Sequence, residues 1–443
     1  MPASNEVNYT QLSKVRQWML LALVSAGSSI IYYVPYLRWV FPDQMATALN
    51  ITNQQVGVLM SAYAITAMIF YIFAGILADK IRMRTLSWVG YISSAALLLI
   101  MATLPSFGIM VTLMIGLGVT TILIWWGTRY KLVRLLFAED EYPSRIGFSY
   151  MFYALAGLLV GNVIAQIILH TYGEGHEAAF LRTLLIVIAI IIAAMGVAAL
   201  LFIPKFDNEL DPNAKALSLT EFAQALKNPA VIFAGLTMFF VYFVYTSMTY
   251  TTQWLTMGPV LAAAAVATML ANVRSYGVGI VSGPLAGTIT KKVGSASKVI
   301  IAAFILIIGV LIAFIAIPWG EGSTGVAAAL VLLLGFVALG QFYITSGQLT
   351  EARVPTTYFG AASGVLSLLG FAPDTFRDIW FGGWVDTYGE GAFDRIFWVM
   401  IVAAVLGIAC AVVVLFIARR NRALDDVTVA DDMIGSAEAE LEK

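Results

Sequence analysis

Six ionisable side chains stand in stretches that offer almost nothing else charged. Arg38 closes the apolar run 15–41, Arg129 follows the run 107–128, and Arg274 lies near the middle of the run 261–289. Asp374, Arg377 and Asp378 lie inside the run 358–384. An ionisable group at the centre of a bilayer costs roughly 3 kcal/mol even on the lenient insertion scale, so it is retained for a task. A guanidinium holds a carboxylate or phosphate through two parallel hydrogen bonds. No acid lies within a helical turn of Arg274 in its own run, so it is a candidate for an anionic group on a visiting solute. The other reading is a bond to backbone carbonyls at a kink. Arg38 either turns inward at a bend near Pro35 or snorkels to the surface. Arg129 and Lys131 are within reach of an interior cavity, whereas Arg134 reads as an interfacial anchor. Asp374 stands three residues before Arg377, which favours a local ion pair. As carboxylates well inside an apolar run, Asp374 and Asp378 are also the candidates for carrying a proton. Cations outnumber acids in these runs, which points to an anionic solute.

Other chemistries find no support. The chain has two histidines, His170 and His176, and one cysteine, Cys410, which leaves no thiolate or histidine cage for a metal. The phosphate-loop pattern is absent, as is a nucleophile–base pair, so neither an enzyme nor a cofactor is expected. The net charge of −1 argues against a nucleic-acid partner. Hydrophobic residues make up 60% and charged ones 12% of the chain, and mean hydropathy is +0.87. Soluble domains average about 25% charged residues, so the partner of this surface is a lipid bilayer.

The elements that position these residues are twelve apolar runs, most near the ~20 residues that cross a bilayer. The first half holds 15–41, 56–78, 86–104, 107–128, 146–170 and 184–203; the second holds 230–255, 261–289, 299–317, 326–347, 358–384 and 396–418. The expectation is an all-α membrane protein of twelve transmembrane helices in two pseudo-symmetric six-helix bundles, residues 1–203 and 230–422. Residues 204–229 read as a cytoplasmic linker in which Ser218 caps an amphipathic, surface-lying helix ending at Lys227. Residues 423–443 read as a disordered acidic tail, and the polar leader before the first run as retained. Basic residues alternate by loop: they crowd those on the side of the termini, while the opposite loops hold little beyond Arg182 and Arg395. That asymmetry places both termini in the cytoplasm of a cell (inner) membrane protein.

One connection repeats. Gly75, Asp79, Lys80, Arg82 and Arg84 form a tight, basic turn between the second and third runs, and Gly287, Lys291, Lys292 and Gly294 echo it half a chain later. Internally repeated helical halves mark secondary transporters. The first copy resembles the loop between the second and third helices of the major facilitator superfamily. It departs at Arg82, where the family usually has glycine, and the echo departs at Lys291, where the acid should be. The resemblance implies two bundles rocking about a midplane site, with Asp79, Lys80 and Arg82 gating the inner ends.

Four runs carry polar stripes at helical spacing. They are Ser25, Ser29, Tyr32, Tyr33 and Tyr36; Thr121, Trp125 and Thr128; Tyr242, Tyr245, Thr246, Thr249 and Gln253; and Gln341, Thr345 and Gln348. Their runs are the first, fourth, seventh and tenth, the cavity-lining helices of the superfamily. The alternative for any one residue is a bond to a neighbouring helix. Gly157-x-x-x-Gly161 and Gly279, Gly283 and Gly287 locate close crossings of the fifth and eighth runs. Arg274, Arg38, Tyr32, Tyr36, Trp125, Arg129, Tyr245 and Gln341 are therefore the expected binding residues. The charge pattern is similar to that of the superfamily's organic-anion carriers, the organophosphate/phosphate antiporters and the oxalate/formate exchanger. The seventh-helix arginine of the former is missing, which moves the expectation toward small carboxylates and related organic anions. The expected function is alternating-access transport of a small organic anion by proton symport or anion exchange, by a monomer. A neutral or zwitterionic solute, or a membrane sensor, is the alternative.

Overall fold

The computed structural model describes residues 6–138, 141–172, 175–207, 209–210, 218–320 and 322–441. It is all helix apart from one short parallel strand pair, Glu6–Val7 with Lys205–Phe206. Ten helices among the described residues are long and apolar enough to cross a membrane. Two further spans complete twelve, and both carry buried charges, Arg38 in one and Asp374, Arg377 and Asp378 in the other. The first runs over Lys14–Tyr33 and continues through a tight turn at Leu37–Trp39 that holds Arg38. The eleventh is broken into Phe359–Phe371, Ala372–Thr375 and Arg377–Tyr388. Pro373 causes the break, because it has no N–H to donate and its ring clashes with the preceding turn. The charges thus sit where backbone groups have lost their helical partners.

The even number of spans brings the start of the first and the end of the twelfth to one end of the molecule, the proximal end; the other end is distal. Two apolar cores correspond to the two halves. A third, smaller one packs the linker helix, Leu219–Lys227, against the seventh, eleventh and twelfth spans through Phe222 and Ala225. Ser218 caps that helix by accepting from the Glu221 N–H at 3.3 Å. The backbone of the last helix continues from Gly391 to Leu441, through the stretch expected to be disordered. Its final part, Ala437–Leu441, is made only of alanine, glutamate and leucine, which all favour helix.

Three spans contain π-helical turns: Val119–Trp126 in the fourth, Val160–Ile164 in the fifth and Val273–Gly277 in the eighth. Such a turn accommodates an extra residue and rotates the residues beyond it by about 100° relative to an ideal helix. The small residues of the fifth span meet the eighth as expected, for a Cβ on Gly157 would strike Tyr276 and one on Gly161 would strike Asn272. Gly279 and Gly283 instead face Leu339 and Tyr343 of the tenth span.

Candidate functional site

Four charges meet at the break in the eleventh span. Arg377 Nη1 lies 3.1 Å from Asp374 Oδ1, and Arg377 Nη2 lies 2.5 Å from Asp378 Oδ2. The other oxygen of Asp378 is 2.9 Å from Arg38 Nη1. Arg38 belongs to the first half of the chain and the other three to the second, so the quartet ties the halves together. The Arg38 guanidinium also lies over the Tyr250 ring at 4.1 Å. The Tyr242 hydroxyl donates to Asp374 Oδ2 at 2.6 Å. Arg38 therefore turns inward, as the bend near Pro35 allowed. Asp374 and Arg377 pair as their spacing predicted.

More bonds close the distal end around this quartet. Asp386 accepts from the backbone N–H groups of Asn53 and Gln54 at 2.9 and 2.8 Å. Gln253 and Thr256 donate to Asp43 at 2.9 Å each. Glycines permit the approach: a Cβ on Gly57 would lie 2.3 Å from the Asp378 carbonyl carbon, and one on Gly382 would lie 2.4 Å from the Asn53 carbonyl oxygen. Proximal polar contacts join residues of the same half, as with Lys131–Asp79 at 2.9 Å and Asn421 with the Ala352 carbonyl at 2.8 Å. Two clefts enter between the halves on that side. One of 290 Å³ runs past Tyr71, Trp126 and Phe371, and one of 360 Å³ past Tyr150, Tyr153, Tyr276 and Tyr343. The molecule is tied at its distal end and cleft at its proximal end.

Aromatic rings join the halves across the centre. Tyr71 meets Phe371 at 5.7 Å and Trp39 meets Tyr245 at 6.0 Å. Within the second half Tyr245 stacks on Phe342 at 5.2 Å. Tyr36 packs on Tyr63 at 5.6 Å, and the Tyr32 hydroxyl donates to the Thr121 carbonyl at 2.7 Å.

A model of the Major Facilitator Superfamily matches residues 18–373. The chain belongs to that superfamily. The protein is 27% identical to the inner membrane protein YqcE of Escherichia coli K12, over 89% of this chain and 93% of that one. It is 24% identical to the inner membrane protein YihN of the same organism, over 82% and 86%. Among solved structures it is similar to a bacterial homologue of the human lysosomal transporter Spinster in an inward-facing, unoccupied conformation. The TM-score is 0.70 at 14% identity, covering 92% of this chain and 98% of that one. The nucleoside transporter NupG gives 0.69 at 15%, covering 91% and 99%. This is a multi-pass transporter of the superfamily and not an enzyme.

Several expected cavity residues of this superfamily member point elsewhere. Trp125 is fully buried inside the first bundle, donating to the Ser28 hydroxyl at 2.9 Å and packing on Tyr91 at 4.3 Å. Its neighbour Trp126 faces the centre, meeting Tyr71 at 5.0 Å and Tyr32 at 6.2 Å. The π-helical turn over these residues explains the exchange, since the expected stripe assumed ideal spacing. Gln341 donates to the Ile300 carbonyl at 3.1 Å, and Gln348 to Ser297 at 3.0 Å. The tenth-span stripe thus binds the ninth span rather than facing the cavity. Tyr32, Tyr36 and Tyr245 do lie among the central rings.

Arg274 is fully buried but not unpaired. It donates to the Thr251 and Thr252 hydroxyls at 2.7 and 3.2 Å and to the Trp39 carbonyl across the halves at 3.1 Å. Its stem passes Gly335, where a Cβ would lie 2.4 Å from its Cγ. Every one of these partners is neutral. Arg129 is also buried: its Nε donates to Ser149 at 3.1 Å, its Nη2 has no partner, and its guanidinium lies 4.5 Å from the Tyr150 ring and 5.1 Å from that of Tyr153. The buried charges of the spans are thus Arg38, Arg129, Arg274 and Arg377 against Asp374 and Asp378, an excess of two cations among the described residues.

The gating loop behaves as a clasp. Gly75 has open space around it, Lys80 is exposed, and half-exposed Asp79 pairs with Lys131 inside the first half. Arg82 binds Glu6 of the leader and Glu209 of the linker, the latter at 3.3 Å. The Glu6 carboxylate, more than any other neighbour, raises the proton affinity of the Arg82 guanidinium. Buried Glu209 also accepts from the Met83 and Phe206 N–H groups. This explains the departure at Arg82: the side chain replacing glycine fastens leader and linker to the loop. No pattern in the sequence pairs those distant acids with it.

Proposed function

We propose that this transporter carries a small organic anion bearing a flat or apolar body, by alternating access, with the proximal side in the cytoplasm. The observation that supports the charge assignment is the pair Arg129 and Arg274. Each is a buried guanidinium without an acidic partner, and a buried cation is costly until an anion visits it. The other two arginines are neutralised by Asp374 and Asp378. Arg129 stands beside the 360 Å³ cleft and retains an unpartnered Nη2, which suits a first anchor from the proximal side. Arg274 comes into play as the distal ends part and its bond to Trp39 breaks. The central rings would stack on the body of the solute. A 680 Å³ depression also lies between the halves on the distal surface, lined by Asp43, His170 and Glu177 of the first and Thr256 of the second, a poor match to an anion.

A thermal-shift comparison of matched solutes tests the reading, with benzenesulfonate against benzenesulfonamide and benzoate against benzamide. The anion that stabilises the protein most is then used for uptake into proteoliposomes. Arg129→Gln and Arg274→Gln should each lower uptake at least tenfold, and Arg274→Lys should fall between, because lysine keeps the charge without the planar fork. If both glutamine variants carry the anion at wild-type rate, the charge assignment fails and a neutral solute takes its place.

A further inference from the structure

The distal closure includes an ion pair that shares a carboxylate with a second arginine. Asp378 faces Arg38 with one oxygen and Arg377 with the other, at 2.9 and 2.5 Å, and Arg377 divides its charge with Asp374. The contact between Arg377 and Asp374 is the weakest link. At 3.1 Å its atoms are close enough to attract, yet neither Arg377 Nη1 nor Asp374 Oδ1 makes a hydrogen bond. Asp374 is also the only member with measurable side-chain exposure, 8% against 0–1% for the others.

We propose that Asp374 and Arg377 couple a proton to the transport cycle: protonation of Asp374 releases the Arg38–Asp378 pair that holds the distal ends together. With Asp374 ionised, two arginines balance two aspartates and the quartet is neutral. A proton taken from cleft water onto a carboxylate oxygen of Asp374 leaves one positive charge over. Arg377 then turns wholly to Asp378, and Arg38 keeps only a share of it. An under-compensated guanidinium in a dry interface favours hydration, which here means parting the distal ends. The remaining groups around Asp374 are phenols: Tyr242 on the seventh span bonds it, and Tyr245 of the same span, Tyr36 of the first, and Tyr63 and Tyr71 of the second lie within electrostatic reach. Tyr250 bonds Asp378 at 3.2 Å. The inference requires an alternating carrier and is independent of the charge of its solute.

The test places spin labels at Thr47→Cys and Thr387→Cys, exposed distal residues of opposite halves, in a Cys410→Ser background. The distance between them is read at pH 8 and at pH 5 without solute. The ratio of separated to closed molecules should rise by roughly tenfold for each unit the pH falls between the proton affinities of Asp374 in the two states. Asp374→Asn should be separated at both pH values, and Asp374→Glu should keep a pH response. Asp378→Asn, which removes the shared carboxylate, should also be separated throughout. A distance that ignores pH, an Asp374→Asn variant that still responds fully, or an Asp378→Asn variant that stays closed overturns the proposal.

Discussion

At the scale of single residues, adjacent tryptophans have unlike tasks. Trp125 is a structural bond to Ser28 within one bundle, whereas Trp126 faces the rings between the bundles. Trp125→Phe should lower thermal stability by about 1 kcal/mol, the worth of one buried hydrogen bond, and leave solute affinity unchanged. Trp126→Ala should weaken solute binding several-fold with little loss of stability, measured by the same thermal-shift titration. The reverse outcome would return the cavity stripe to Trp125. The sequence carried the Asp374–Arg377 pair because the two residues lie three apart in one span, close enough to meet even across its break. It did not carry Trp126, because nothing in the residue types of 119–126 announces a π-helical turn. Gln341, which bonds the ninth span, is ambiguous for another reason: a polar stripe facing a neighbouring helix and one facing a cavity have the same periodicity.

Elements were more legible than their junctions. Twelve apolar runs gave the spans because membrane thickness sets their length whatever they pack against. The crossing of the fifth and eighth spans was also readable, since close approach needs small residues. Contacts between distant loops were not, and two predictions test them. Gly57→Ala would set a methyl 2.3 Å from the Asp378 carbonyl carbon and so should hold the distal ends apart. Labels at Thr47 and Thr387 should then report a separated population exceeding the wild type at neutral pH; an unchanged distance would remove the glycine contact from the closure. Glu209→Gln keeps the shape of a buried side chain but removes the charge facing Arg82. Stability should fall by roughly 1.5–3 kcal/mol, the range for hydrogen bonds to charged groups. Arg82→Gly, the residue usual in the superfamily, should cost as much, because it leaves the Glu209 charge without its counterion. Additive losses in the double variant would argue against the clasp.

For the whole molecule, polar contacts join the halves distally and clefts part them proximally, as one side of the proposed cycle requires. Superfamily membership rests on the match over residues 18–373, and the resemblance in the loop at Gly75 pointed the same way. The nature of the solute is a separate matter, because relatives sharing the fold at 14–15% identity include a nucleoside transporter. The charge inventory supports the anion. Its direct test is calorimetric binding of benzenesulfonate, ionised at every working pH, beside benzenesulfonamide, its neutral counterpart of nearly equal shape. Wild-type protein should prefer the sulfonate by at least tenfold, and Arg129→Gln with Arg274→Gln should abolish the preference. Equal binding of the two solutes by the wild type, or a preference that survives the double substitution, would contradict the anion assignment.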